Sequence, residues 1–210
     1  MNSKIPLKSQ NGICTWKDNT LCDNCSLKSI LICQFKPKYL LSFISLFLLF
    51  AIPAILGVIL AGYVWFLLGW FIFWIIFFEF WEIRILCSHC PFYAKNGRLL
   101  HCIANYGSLK VWKYHPEPIS LSEKIQLFIG FLIFFGYPYI FMILGGQYIF
   151  IILSSIGLIV FFGVLLKRRC AKCINFSCPL NRVPKEVVDD FLNRNPIMKK
   201  AWEKAGYRLN

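Results

Sequence analysis

Lysine and arginine are missing from two long stretches of this chain, 39–83 and 125–166, although it holds 23 of them. Every basic residue, with all ten cysteines and all three histidines, falls in the remaining segments, 1–38, 84–124 and 167–210. Charge of either sign is absent from Tyr39 to Phe78 and from Ile125 to Leu166. Helices of a soluble core need polar faces. Neither block offers one, which argues against a soluble bundle.

Other absences narrow the reading further. No G-x-x-x-x-G-K-[ST], H-E-x-x-H or G-x-S-x-G run occurs, so the chain lacks the usual signatures of a P-loop, a zinc protease or a serine hydrolase. A cleavable secretory signal is not expected. A basic, cysteine-rich tail precedes the first apolar block, the block is too long, and no small-residue cleavage site follows it. Acids are scarce, ten against 23 basic residues, and the formal net charge is +13. That surplus reads as membrane topology and attraction to anionic lipid head groups, not as nucleic-acid binding.

What is present is apolar length. A helix needs about 20 apolar residues to cross a ~30 Å hydrocarbon core, so each block suffices for two crossings. The expected spans are Leu40–Ala61, carrying Pro53, then Tyr63–Trp81, Ile125–Leu144 and Tyr148–Leu166. Their tips fall near Gly62 and at Gly145-Gly146-Gln147. Ser120-Leu-Ser-Glu123 reads as a capping box opening the third span. Trp65, Trp70, Trp74 and Trp81 all lie on the second, where interfacial anchoring and helix packing account for them.

Four spans put both termini and the central loop on one side. The lysine and arginine excess assigns that side to the cytoplasm of a plasma or inner membrane. The expected fold is therefore an all-α integral membrane protein of four transmembrane helices in two hairpins, with a small cysteine-rich cytoplasmic head. Its parts are 1–38, hairpin 39–83, loop 84–124, hairpin 125–166 and tail 167–210. In the tail, Pro184 opens a helix with Val187, Val188, Phe191 and Leu192 on one side. Asn195-Pro196 ends it, and a second short helix carries Met198 and Trp202 inward.

Disulfides are uncommon in a cytoplasmic head, so its cysteines point to metal or redox chemistry. Their spacing agrees: Cys14-x7-Cys22-x2-Cys25-x7-Cys33, Cys87-x2-Cys90-x11-Cys102 and Cys170-x2-Cys173-x4-Cys178. A C-x2-C turn aims two thiolates at one ion. Cys14, Cys22, Cys25 and Cys33 are expected to form one four-thiolate site. Cys87, Cys90, Cys170 and Cys173 are expected to meet over the bundle, with Cys102 and Cys178 as alternates or partners. His89 and His101, each beside a cysteine, are candidate extra ligands. His115, in a Tyr-His-Pro turn, reads as structural.

The metal is left open between an iron–sulfur cluster and zinc. Cys90-Pro91 and Cys178-Pro179 suit the former, whereas paired C-x2-C turns suit zinc ribbons. In plan alone, the chain resembles four-span subunits with cysteine motifs that pass electrons from quinol to periplasmic reductases. That resemblance implies electron transfer and carries over no residue.

The expected function is thus a membrane-held, Cys-ligated metal centre moving electrons between a cytosolic donor and a membrane acceptor. The alternatives are a zinc-stapled adaptor for a cytosolic partner, or an accessory to metal transport using Glu79. Glu79 and Glu82 are expected to reach water or pair with Arg84 at the end of the second span.

Overall fold

The computed structural model describes residues 25–95, 97–102 and 104–209. These residues form helices and turns without a strand; a lone antiparallel bridge joins Leu99 and Leu109. Four helices are long and apolar enough to span a membrane: α1 (Pro37–Leu60), α2 (Phe66–His89), α3 (Leu121–Leu144) and α4 (Tyr148–Lys172). Each of 24 or 25 residues reaches roughly 36 Å, at about 1.5 Å per residue. Two short amphipathic helices follow, α5 (Lys185–Asn193) and α6 (Pro196–Lys204).

The boundaries have local causes. α1 starts at Pro37, whose fixed φ and missing N–H suit the first helical position. α3 starts where Ser120 and Glu123 cap each other: the Glu123 N–H donates to Ser120 Oγ at 3.3 Å and the Ser120 N–H to Glu123 Oε2 at 2.7 Å. Both tips fall where expected. Gly62 and Gly146 take φ of +82° and +67°. There Tyr63 bonds back to Val58 and Gly62 to Ile59, while Gln147 bonds to Met142 and Gly146 to Ile143. This paired pattern closes a helix on a left-handed residue, which favours glycine.

α2 and α4 run past the expected ends at Trp81 and Leu166. Each first widens into a π-helical stretch, Ile75–Trp81 in α2 and Leu165–Arg169 in α4. Each then tightens into a 3-10 turn, Cys87–His89 and Cys170–Lys172. Backbone hydrogen bonding persists through these changes of pitch, so the first charged residues do not end the helix.

Packing does not follow the hairpins. α1 packs most extensively on α4, and α3 touches α1, α2 and α4. Small residues allow the close crossing. A Cβ at Gly157 would lie 2.2 Å from the Leu49 carbonyl oxygen, and one at Gly57 would lie 2.8 Å from Phe150 Cβ. Ala51, Ala54 and Ser154 are buried along the same contact. Phe50, Trp70, Phe134 and Met142 fill the middle of the bundle. Its outer surface is apolar: Leu132 is 74% exposed, and Ile149 and Ile159 are each 72% exposed. Contiguous apolar surface on this scale calls for a covering phase.

At one end of the bundle the polar segments share a single core. Leu27 and Leu31 pack with Ile83, Phe92, Leu100, Ile174, Phe191, Leu192, Met198 and Trp202. The expected inward residues of α5 and α6 are thereby found inward. Backbone bonds tie the segments together: the Ile32 N–H donates to Lys172 O at 2.8 Å and the His115 N–H to Ser88 O at 2.9 Å. α5 and α6 close this core over the cysteine turns.

Candidate functional site

Two cysteine turns stand at the ends of α2 and α4, and they are close conformational copies. Cys90 has φ −82° and ψ 137°, and Cys173 has φ −80° and ψ 132°. The Cys90 N–H bonds Cys87 O at 3.0 Å, and the Cys173 N–H bonds Cys170 O at 3.5 Å. Asn175 joins the two: its Nδ2 donates to Leu86 O at 3.3 Å, just before the first turn. Its own backbone N–H donates to the Cys173 sulfur.

That last bond recurs. The Phe92 N–H donates to the Cys90 sulfur, and the Leu180 N–H to the Cys178 sulfur. In three cases, therefore, the residue two places on offers its N–H to a buried or half-buried sulfur. This arrangement favours a sulfur that accepts, as a thiolate or a metal-bound sulfur does. Pro91 and Pro179 sit between donor and acceptor in two of the three, where a fixed φ preorganises the turn.

Cys90 lies within electrostatic range of Cys102, Cys173 and Cys178. Cys87 lies within range of Cys90 and Cys102, and Cys170 within range of Cys173 and Cys178. Cys102 arrives on a narrow hairpin in which Leu100 pairs with Gly107 and Ser108. Among the described residues, no three His, Cys, Asp or Glu side chains stand close enough to hold one metal ion. Cys14 and Cys22 lie outside the described residues. Cys25 and Cys33 line a cavity and pack against the same core as Cys87 and Cys90. Arg194 Nη1 donates to Cys25 Sγ at 3.1 Å, while Asp190 receives Arg194 Nε at 3.0 Å.

Burial sets the protonation of these sulfurs. It pushes Cys90 well above the ordinary thiol value, and repulsion from Cys102 and Cys173 adds to it; the Phe92 N–H offsets this only in part. Burial also raises Cys173 strongly, against the Asn175 N–H. Cys178 is pushed up to about 12, again by burial first. Without a cation the group is a set of neutral, poorly nucleophilic thiols. A bound divalent ion would invert that balance by favouring the thiolates.

The histidines divide. His89 is 5% exposed, but its ring turns away from the sulfurs. Nδ1 donates to Glu117 O at 2.6 Å and Nε2 lies 3.5 Å from Glu123 Oε1. It ties the first cysteine turn to the start of α3. His101 Nδ1 is buried with no hydrogen-bond partner, one residue from Cys102. His115 pairs with Glu117 Oε1 at 2.9 Å in an exposed turn, consistent with a structural role.

Glu82 neither reaches water nor pairs with Arg84. It is 7% exposed and accepts from Asn105 Nδ2 at 2.7 Å. The same amide nitrogen donates to Cys87 Sγ at 3.3 Å. Arg84 instead stacks 5.3 Å from the Trp112 ring, and Glu79 is exposed. Asn105, Asn175 and Tyr114 stand beside the cysteine turns and Arg194 beside Cys25, although no spacing rule singles them out. The Tyr114 hydroxyl and Asn175 Oδ1 are buried without partners. Tyr114 lies within electrostatic range of Cys90. Orphaned polar atoms beside buried sulfurs fit a site built for a further polar group.

No protein-family model matches this chain, no curated protein is similar to it in sequence, and no solved structure matches its fold.

Proposed function

We propose that this chain is a four-span integral membrane protein whose polar head holds a thiolate-ligated metal centre at the cytoplasmic face. The observation that carries it is the pair of copied C-x2-C turns, in each of which the second sulfur receives a backbone N–H group. They are fixed to the ends of two apolar helices and lie within range of Cys102 and Cys178. Cys87, Cys90, Cys170 and Cys173, with Cys102 or Cys178, would ligate the metal. Cys25 and Cys33, with Cys14 and Cys22, would serve a second site. The Phe92, Asn175 and Leu180 N–H groups would hold charge on the sulfurs, and Asn105 would orient Cys87. The confinement of all 23 basic residues to the polar segments supports a cytoplasmic head.

The metal supplies either a redox couple or a staple. The staple is favoured by the local structure around the cysteines, a few 3-10 turns and one isolated bridge among the described residues. Loops this short gain much of their folding energy from a bound ion. The redox role is favoured by position. The sulfurs lie on the last turns of two spans, next to any carrier dissolved in the membrane. Purification under anoxic conditions with metal analysis separates the outcomes. Stoichiometric iron with broad visible absorption supports electron transfer between a cytosolic donor and a membrane acceptor. Stoichiometric zinc in a colourless protein supports a stapled adaptor. Protein that is folded and free of either metal defeats the proposal.

A further inference from the structure

After the first cysteine turn the chain folds back onto the end of α2. Phe80, seven residues before Cys87, offers its backbone carbonyl, and Trp112 Nε1 donates to it at 3.2 Å. The Trp112 backbone is clamped as well: the Tyr93 hydroxyl donates to Trp112 O and accepts the Trp112 N–H, each at 2.8 Å. The Arg84 guanidinium lies 5.3 Å from the indole ring. Trp112 is therefore held about 10 Å back along α2 from the cysteine turn, at about 1.5 Å per residue. It is level with Phe80 and Trp81, whose side chains are exposed.

The two arms that lead to Trp112, 98–100 and 107–112, have distinct faces. Leu99 and Leu109 pair across the antiparallel bridge, so their side chains share one side of it. Their neighbours Leu100 and Ser108 are buried, as alternation along an extended segment requires. On the outward side Leu99, Leu109 and Val111 are exposed, Leu109 at 62% and Val111 at 60%. Basic residues are interleaved with them: the stretch 83–116 holds Arg84, Lys95, Arg98, Lys110 and Lys113 and no acid. Lys110 turns inward, donating to Lys95 O and lying over the Tyr93 ring. Arg84, Lys95, Arg98 and Lys113 are exposed.

Aliphatic side chains favour a hydrocarbon cover and the cations favour water. The boundary of a bilayer offers both at once, and tryptophan is enriched there. We propose that the outward face of these arms lies on the membrane surface. Leu99, Leu109 and Val111 meet the boundary of head groups and acyl chains, and Arg98 and Lys113 meet anionic lipid head groups. The occupant is lipid because the patch continues through Trp112 onto Phe80 and Trp81 of the span itself, and because its charge is of one sign. The contact rests on the membrane reading given above and is independent of any metal. It makes the central loop a surface anchor that holds the first cysteine turn against the bilayer.

The test uses the full chain reconstituted in vesicles, with a photoreactive benzophenone side chain placed singly at Leu109, Val111 or Ile159. Mass spectrometry reads what each captures on illumination. Ile159, exposed on the outside of the bundle, reports the span. Leu109 and Val111 should capture phospholipid as Ile159 does; both are more than half exposed, so the probe displaces no packed side chain. The Val111 adduct should be about fivefold more abundant in vesicles containing phosphatidylglycerol than in phosphatidylcholine alone. Arg98→Gln/Lys113→Gln should remove that difference. Lys199→Gln/Lys204→Gln, which takes the same charge from α6, should keep it.

Lipid captured at Ile159 but at neither Leu109 nor Val111 overturns the contact and leaves the spans standing. Capture of a second copy of the chain in place of lipid, equal Val111 yields in the two vesicles, or an equal loss in the α6 variant would overturn it too. No lipid captured at Ile159 defeats the membrane reading itself.

Discussion

Pro53 and Pro138 each remove a backbone N–H from the interior of an apolar helix. The carbonyls left without a donor are four residues earlier, at Leu49 and Phe134. The Phe134 carbonyl is given a donor by a neighbouring helix. Trp70 Nε1 donates to Phe134 O at 2.9 Å, and Gly157 brings α4 directly against Leu49 O. Apolar surroundings offer no water to do this. Trp70→Phe is expected to lower stability by about 1–3 kcal/mol, because it strands a buried carbonyl. Thermal melts in detergent check this, and Trp65→Phe, at a position 83% exposed, should differ little from the parent. The cysteines give a second outcome at this scale. Burial holds the Cys90 and Cys178 thiols above their ordinary value of 9.0, so folding favours the protonated form. Metal-free protein should keep that stabilisation below about pH 9 and lose it as pH rises toward 12, where Cys178 titrates. Metal-loaded protein should behave oppositely and release its ion on acidification. Melts of chelator-treated and loaded protein across that range test both signs, and chelator-treated protein that grows more stable with alkali would contradict the burial argument.

Between elements, the decisive contact is α1 on α4. It joins the first and last spans and is set by the glycines that let the backbones meet. Gly157→Ala must force the helices apart, since its new carbon would sit 2.2 Å from a backbone oxygen that cannot swing away. A loss of about 1–3 kcal/mol is expected. Gly163, with nothing within 4 Å of an added Cβ, is the control: Gly163→Ala should be neutral or stabilise by up to ~1 kcal/mol through helix propensity. Equal effects at the two positions would show that the close crossing does not govern stability. The π-helical stretches belong to the same scale. Each widens its helix shortly before a C-x2-C turn.

For the whole molecule, three polar segments far apart in sequence share one core at one end of the bundle, joined through Ile32–Lys172 and Ser88–His115. The cysteines should therefore behave as a group with respect to the membrane. A membrane-impermeant maleimide added to intact cells is expected to label none of them. Permeabilisation should expose the partly exposed Cys25 and Cys33 before the buried Cys87 and Cys90. Labelling from outside the intact cell would reverse the assigned orientation and, with it, the case for reduced thiols.

By itself the sequence determined the spans, their tips, the capping box and the two amphipathic helices of the tail. Each of these follows from local chemistry: apolar length, glycine at a left-handed position, a serine and a glutamate three apart, and helical periodicity. Helix ends past Trp81 and Leu166 escaped it, because charge marks the end of an apolar run but does not break backbone hydrogen bonds. Only the tertiary structure decided that α1 pairs with α4, that His89 faces Glu117 and Glu123 instead of the sulfurs, and that Asn105 buries Glu82 beside Cys87. Those outcomes depend on which surfaces meet across distant segments, and a side chain's neighbours there are fixed by packing that no short spacing encodes.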